Sequence, residues 1–207
     1  MTEPIPLQLT AAEARLLGCL IEKESTTPEQ YPLTEHAAQL AANQKTSRDP
    51  VLALDAGTVA HALRGLETKG LARRVDGARS LRFEHTAARA LELPRGQLVA
   101  LALLLLRGPQ TAGELLARAE RMHRYTDSDD LDYAIERLAG RGWVIALPRA
   151  PGQREGRWAQ LLWEHPGHSS GQDESGVHDD KSLLTRIIRL EARVTALEAQ
   201  LDHRNRT

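Results

Sequence analysis

The chain has a single cysteine, Cys19, in 207 residues. An internal disulfide is excluded, and with it the small secreted scaffolds that depend on such cross-links. Cys19 sits in an apolar helical stripe with Leu16, Leu17, Leu20 and Ile21 and reads as a buried small apolar residue. Aromatic residues make up only 3%, so any core must be built from Leu, Ala, Val and Ile, which favours small helical packing over large sandwiches. Charge of either sign is not in excess: the formal net charge is −1. A nucleic-acid partner would therefore have to be met by local charge alone. The longest apolar run, Leu98 to Leu106, is about half of what a membrane span needs. Met1-Thr2-Glu3-Pro4 has neither the positive start nor the apolar stretch of a signal peptide. The expectation is a soluble, cytoplasmic protein with no membrane partner.

Catalytic signatures are also missing. There is no phosphate-binding Gly-rich loop, no zinc-ligand pair of cysteines and no nucleophile elbow. The eight histidines are scattered. His165, His168 and His178 lie near Asp179-Asp180, but in a stretch of disordered composition. Glu13 and the run Glu22-Lys23-Glu24 read as a solvated helix end rather than acid–base machinery. No catalytic residue, metal or cofactor is expected, and the chain reads as a non-enzyme.

What is present is a pattern that occurs twice. Ala62-Leu63-Arg64-Gly65-Leu66-Glu67-Thr68-Lys69-Gly70-Leu71 returns as Ala134-Ile135-Glu136-Arg137-Leu138-Ala139-Gly140-Arg141-Gly142-Trp143, 72 positions on. In each copy a helical stripe ends at a basic-Gly pair and an apolar strand follows. Gly caps helices in the left-handed conformation, and a helix that stops there and turns into a hairpin is the centre of a winged helix-turn-helix. The fold class expected is mainly α with small β-hairpins (α+β): two tandem winged helix-turn-helix domains and a C-terminal coiled-coil helix.

In the first copy Thr10 caps a helix, with Glu13 at the capping-box spacing, and Leu16, Leu17, Leu20 and Ile21 run along one face to about Glu24. Pro32-Leu33-Thr34 opens a second helix with Leu33, Ala37, Leu40 and Ala41 inward, and Asn43 to Pro50 forms a polar loop. Asp55 caps a third helix with Val59, Leu63 and Leu66 inward. Leu71 to Val75 and Arg79 to Phe83 are strands around the turn Asp76-Gly77. In the second copy the helices are Gln97 to Arg107, one capped by Thr111 with Glu114, and one capped by Asp127 with Leu131, Ile135 and Leu138 inward. Its longer wing runs Trp143 to Leu147 and Arg157 to Trp163. The boundaries follow: residues 1–85, the first winged helix; 86–94, a connector; 95–165, the second winged helix; 166–181, a Gly/Ser/Asp/His-rich flexible linker; 182–204, the coiled-coil helix.

That last segment carries Leu183, Ile187, Leu190, Val194, Leu197 and Leu201 at alternating spacings of four and three. β-Branched residues at a with Leu at d favour a parallel two-stranded coiled coil. Arg186 and Arg193 at g would face Glu191 and Glu198 at e of the other chain. These residues are the dimerisation candidates; the alternative is an amphipathic helix folded back on its own domain.

DNA-binding candidates follow from the same frame. With Val59, Leu63 and Leu66 inward, the third helix turns Gly57, His61, Arg64 and Thr68 outward, and the wing adds Arg73, Arg74, Arg79 and Arg82. Lys45 and Arg48 in the preceding loop extend the same side. Local basic charge on a neutral protein is what phosphate contact requires; the alternative is a solvated hairpin whose arginines protect an edge strand. Arg48-Asp49 could also pair internally, and Asn43, Ser47 and Asp49 could bond backbone and make the loop structural. The second copy opens its third helix with Asp127-Ser128-Asp129-Asp130-Leu131-Asp132, favourable with the helix dipole and unfavourable beside phosphate. That copy is a candidate for contact with another protein or for interdomain packing.

The chain resembles the YceH-like family of bacterial proteins. The resemblance rests on Leu17-Gly18-Cys19-Leu20-Ile21-Glu22-Lys23-Glu24, Thr26-Thr27-Pro28-Glu29-Gln30-Tyr31-Pro32-Leu33 and Asn43-Gln44-Lys45-Thr46-Ser47-Arg48-Asp49-Pro50-Val51. It continues in Leu105-Leu106-Arg107-Gly108-Pro109-Gln110-Thr111, in Gly113-Glu114-Leu115, in Leu147-Pro148-Arg149 and in Pro151-Gly152-Gln153-Arg154-Glu155. It spans about residues 5 to 165 and implies a tandem winged-helix fold, with no activity and no binding residues attached. Two functional expectations stand together: a dimeric, regulatory protein contacting double-stranded DNA through its first winged helix, and a protein-interaction scaffold without DNA contact.

Overall fold

A computed structural model describes residues 7–76, 80–149 and 155–163. They fall within one compact unit, Met1–Ser169; a second unit, Ser170–Thr207, lies outside the described residues. The linker, the heptad positions Leu183, Ile187, Leu190, Val194, Leu197 and Leu201, and Arg79 all lie outside the described residues.

The described chain is mixed α+β, with seven α-helices and two small antiparallel sheets. The first half runs α1 (Ala11–Thr26), β1 (Leu33–Thr34), α2 (Glu35–Ala42), α3 (Ala56–Thr68), β2 (Ala72–Asp76) and β3 (Leu81–His85). A four-residue helix, α4 (Ala87–Ala90), fills what the sequence presents as a plain connector. The second half runs α5 (Arg95–Arg107), α6 (Ala112–Ala119), α7 (Ser128–Gly140), β4 (Val144–Leu147) and β5 (Arg157–Gln160).

The internal repeat is visible in the caps. Thr10 and Thr111 each close a capping box with the Glu three residues on. Gly70 (φ 69°) and Gly142 (φ 71°) both take the left-handed conformation. The Leu71 N–H donates to the Leu66 carbonyl at 2.8 Å and the Trp143 N–H to the Leu138 carbonyl at 3.1 Å. Together with the Gly70 and Gly142 amides on the carbonyls of Glu67 and Ala139, this is a Schellman close in both copies. Pro32-Leu33-Thr34 differs from expectation. Leu33 and Thr34 pair with Phe83 and Arg82, making β1 a third strand in the order β1-β3-β2. Thr34 then caps α2. Its counterpart in the second half is a single bridge, Gln110 to Trp158. In α2 the inward residues are Ala38, Ala41 and Ala42, whereas Leu40 is 60% exposed. Small alanines bring α2 close to its neighbours, and the bulkier Leu40 is left in solvent.

The two halves share one core. α1 lies against α5, and Leu98 through Leu106 are all buried. A helix apolar all round must be covered all round, and α5 is, because α6, α7 and β5 pack on it as well. The Leu9 N–H donates to the Leu162 carbonyl at 2.7 Å, tying the residues before α1 to those after β5. Cys19 is buried and free, and burial pushes its thiol up to about 11.

Where α1 crosses α5 the residue is Gly18. A Cβ there would lie 2.8 Å from Leu106 Cγ and 3.3 Å from the Ala102 carbonyl oxygen. Gly18→Val is expected to destabilise the fold by about 2 kcal/mol through overpacking. Gly140→Ala at the end of α7, where an added Cβ meets nothing within 4 Å, is expected to be neutral or to gain up to about 1 kcal/mol. Urea unfolding of the two variants checks this, and equal stabilities would contradict the tight crossing.

Candidate nucleic-acid interface

α3 is held by both of its ends. Asp55 accepts from the Thr58 N–H at 2.8 Å and from the Thr58 hydroxyl at 2.7 Å. At the other end Lys69 pairs with the buried Glu13 at 2.6 Å, the same carboxylate that closes the box on α1. With Val59, Leu63 and Leu66 in the core, Gly57, His61, Arg64 and Thr68 are exposed. The Thr68 hydroxyl turns back to the Arg64 carbonyl at 3.0 Å. Among the described residues the side chains of His61 and Arg64 have no hydrogen bond or ion pair, and Lys45 is exposed on the loop after α2.

The hairpin arginines do not form one patch. Successive strand residues face opposite sides, so Arg73 shares its face with Glu84 and Arg82, while Arg74 shares the other with Phe83. Arg73 pairs with Glu84 at 2.5 Å and Arg74 with Glu67 of α3 at 2.7 Å; their side chains are still 62% and 56% exposed. Exposed pairs of this kind contribute about 0–1 kcal/mol, so both guanidiniums can be drawn to a phosphate at low cost. Arg82 is half-buried and donates to the Pro32 carbonyl at 2.6 Å, which anchors β1 to β3.

Of the two expectations for Arg48, the structure fits the structural one, with Glu22 rather than Asp49 as partner. Its side chain is 0% exposed and forms two hydrogen bonds to the Glu22 carboxylate, at 3.2 and 2.5 Å. Its Nε donates to the Ala41 carbonyl at 3.0 Å. Arg15, also buried, reaches the carbonyls of Ala42 and Pro50, and Asn43 brackets Leu54 by donating to its carbonyl and accepting from its amide. The loop is thus structural, and Arg48 is not available to DNA in this arrangement. Glu22 and Glu24 are likewise not a merely solvated helix end: Glu24 pairs with Arg95 at 2.6 Å and lies 3.2 Å from His85 Nε2. Burial alone would raise the Glu24 carboxyl, yet Arg95 and His85 hold it below the usual carboxylate range.

α7 presents a different surface at the positions matching those of α3. Asp129, Tyr133, Glu136 and Gly140 are exposed where α3 has Gly57, His61, Arg64 and Thr68. Sequence reasoning missed one charged cluster altogether. Arg107, Arg118 and Arg157 converge with Glu114 on a cavity of about 200 Å³. They come from α5, α6 and β5, so only the tertiary fold brings them together. Among the described residues no group of His, Cys, Asp and Glu could hold a metal ion. Nor is any helix among them long and apolar enough to cross a membrane.

Geometry therefore defines an α+β protein whose two matching halves share a core and differ in surface charge. The chain belongs to the family described as "Protein of unknown function, DUF480", whose model matches residues 9–153, and the YceH-like resemblance is consistent with this. A UPF0502 protein of Stenotrophomonas maltophilia strain K279a is 54% identical over 207 residues, covering 97% of this chain and 95% of its own length. One of Xanthomonas campestris pv. campestris strain B100 is 50% identical over 218 residues, with 98% of each covered.

Proposed function

We propose that the two halves are tandem winged helices and that the first binds double-stranded DNA, with α3 in the major groove and the hairpin on the backbone. The observation that carries this reading is the outward face of α3. His61 and Arg64 are exposed without an intramolecular partner among the described residues, beside small Gly57, which permits close approach. Recognition helices present polar side chains to base edges in this way, and Arg73, Arg74 and Lys45 supply flanking charge. The reading includes a regulatory role and pairing of two copies through Leu183, Ile187, Leu190, Val194, Leu197 and Leu201 in a parallel coiled coil. It involves no catalysis.

Fluorescence anisotropy with a mixed-sequence duplex, titrated in salt, is the test. Three or four phosphate contacts predict an affinity that falls roughly 40- to 150-fold between about 50 and 200 mM salt. Absence of binding at the lowest salt would overturn the reading. It would favour a second one, contact with another protein through the second half, supported by the acidic first turn of α7 with Asp129 and Asp130 and by Tyr133, 61% exposed on the same helix.

A further inference from the structure

The cavity missed by the sequence lies where the two halves meet within the described unit. The loop of the first half is fixed on the end of α5 by the Asp49 N–H, which donates to the Leu106 carbonyl at 2.8 Å. Arg107 is the last residue of α5. Arg118 of α6 donates to Gln110 Oε1 at 2.6 Å and to Glu114 Oε1 at 3.1 Å. Arg157 of β5 lies 3.5 Å from Glu114 Oε2. Ser47, held in the left-handed region at φ 62°, completes the wall. Arg48 also borders the cavity, but Glu22 already engages it in an ion pair.

The charges do not balance. Three guanidiniums converge, and two carboxylates line the cavity with them: Glu114, which answers two of the three, and Asp49. Burial alone would raise the Glu114 carboxyl, but the Thr111 amide and the Arg118 and Arg157 guanidiniums hold it below its usual range, so it is ionised. Arg107 has no hydrogen bond or ion pair among the described residues, and its Nε is buried without a partner. Burial, and then the charge of Arg118, lower the affinity of Arg107 for its proton, yet an arginine stays charged in a protein.

We propose that this cavity binds a phosphate-type oxyanion, either free phosphate or the phosphomonoester end of a small molecule, with Arg107 as its principal ligand. Guanidiniums arriving from a helix end, a helix and a strand match a tetrahedral dianion with acceptors in several directions. A planar carboxylate would satisfy fewer of them. Because the walls come from both halves of the unit, the bound anion joins them and acts as an effector of their packing.

The test is thermal unfolding of the full chain without DNA, at fixed ionic strength, with inorganic phosphate added to about 10 mM. A ligand that binds only the folded state raises the melting temperature in a saturable way, here by roughly 5 °C once phosphate is in about hundredfold excess over its dissociation constant. Arg107→Gln is expected to abolish the shift. Arg157→Gln, an independent variant should Arg107→Gln fail to fold, is expected to weaken binding about tenfold. Ribose 5-phosphate is the second probe. Tighter binding than phosphate assigns the site to a phosphorylated small molecule, and equal binding assigns it to free phosphate. A wild-type response no larger than that to acetate, or one unchanged in both folded variants, overturns the proposal. DNA takes no part in the assay, so its outcome is separate from that of the DNA reading.

Discussion

Arg48→Ala is expected to remove about 3–5 kcal/mol of folding stability, the usual cost of breaking a buried ion pair from one side. The substitution takes both Arg48 hydrogen bonds from the Glu22 carboxylate, whose side chain is only 14% exposed. It also frees the carbonyls of Ala41 and Ser47, both of which Arg48 satisfies. Because Arg48 joins α1 to the loop after α2, the loss falls on the packing of the whole first half. Arg48→Lys keeps the charge and loses the two-pronged geometry, so it is expected to cost about half as much. Urea unfolding followed by circular dichroism measures both. Near-wild-type stability in Arg48→Ala would show that the loop does not depend on this pair.

The features legible in the sequence are those whose cause is local. Gly70 and Gly142 announce their helix ends because the left-handed turn favours Gly. Thr10 with Glu13, and Thr111 with Glu114, announce helix starts because box partners are three residues apart. The pairing of Leu33 with Phe83 was hidden, since a two-residue strand has no period and its partner is fifty positions away. Glu22 read as solvated, and Arg48 as a DNA candidate or a partner of Asp49, for the same reason: each explains the other, across 26 positions. The outward face of α3 was readable, because the inward Val59, Leu63 and Leu66 fix it. The hairpin was only half readable. Its arginines are evident as a run, but strand alternation divides Arg73 from Arg74 and gives each a different carboxylate. The cavity of Arg107, Arg118 and Arg157 had no signal at all in one dimension.

On the proposed DNA-binding reading, giving α3 the outward residues of α7 is expected to weaken binding strongly while leaving the fold intact. The double variant His61→Tyr with Arg64→Glu places on the first half what Tyr133 and Glu136 place on the second. Both positions are exposed and their side chains have no partner among the described residues, so the effect on stability should stay within about 0.5 kcal/mol. Loss of an arginine contact to a base or phosphate costs about 1–3 kcal/mol, and the new carboxylate adds repulsion. The expected loss is therefore about a hundredfold in affinity at low salt. The reverse change, Glu136→Arg on α7, should not create a second site, because Asp127, Asp129, Asp130 and Asp132 still surround the first turn of that helix. Anisotropy with the same duplex reads all of these. Unchanged affinity in the α3 variant, given binding by the wild type, would move the contact away from this helix. Loss confined to the α3 variant would trace the division of labour between two similar halves to the charge on one helix face.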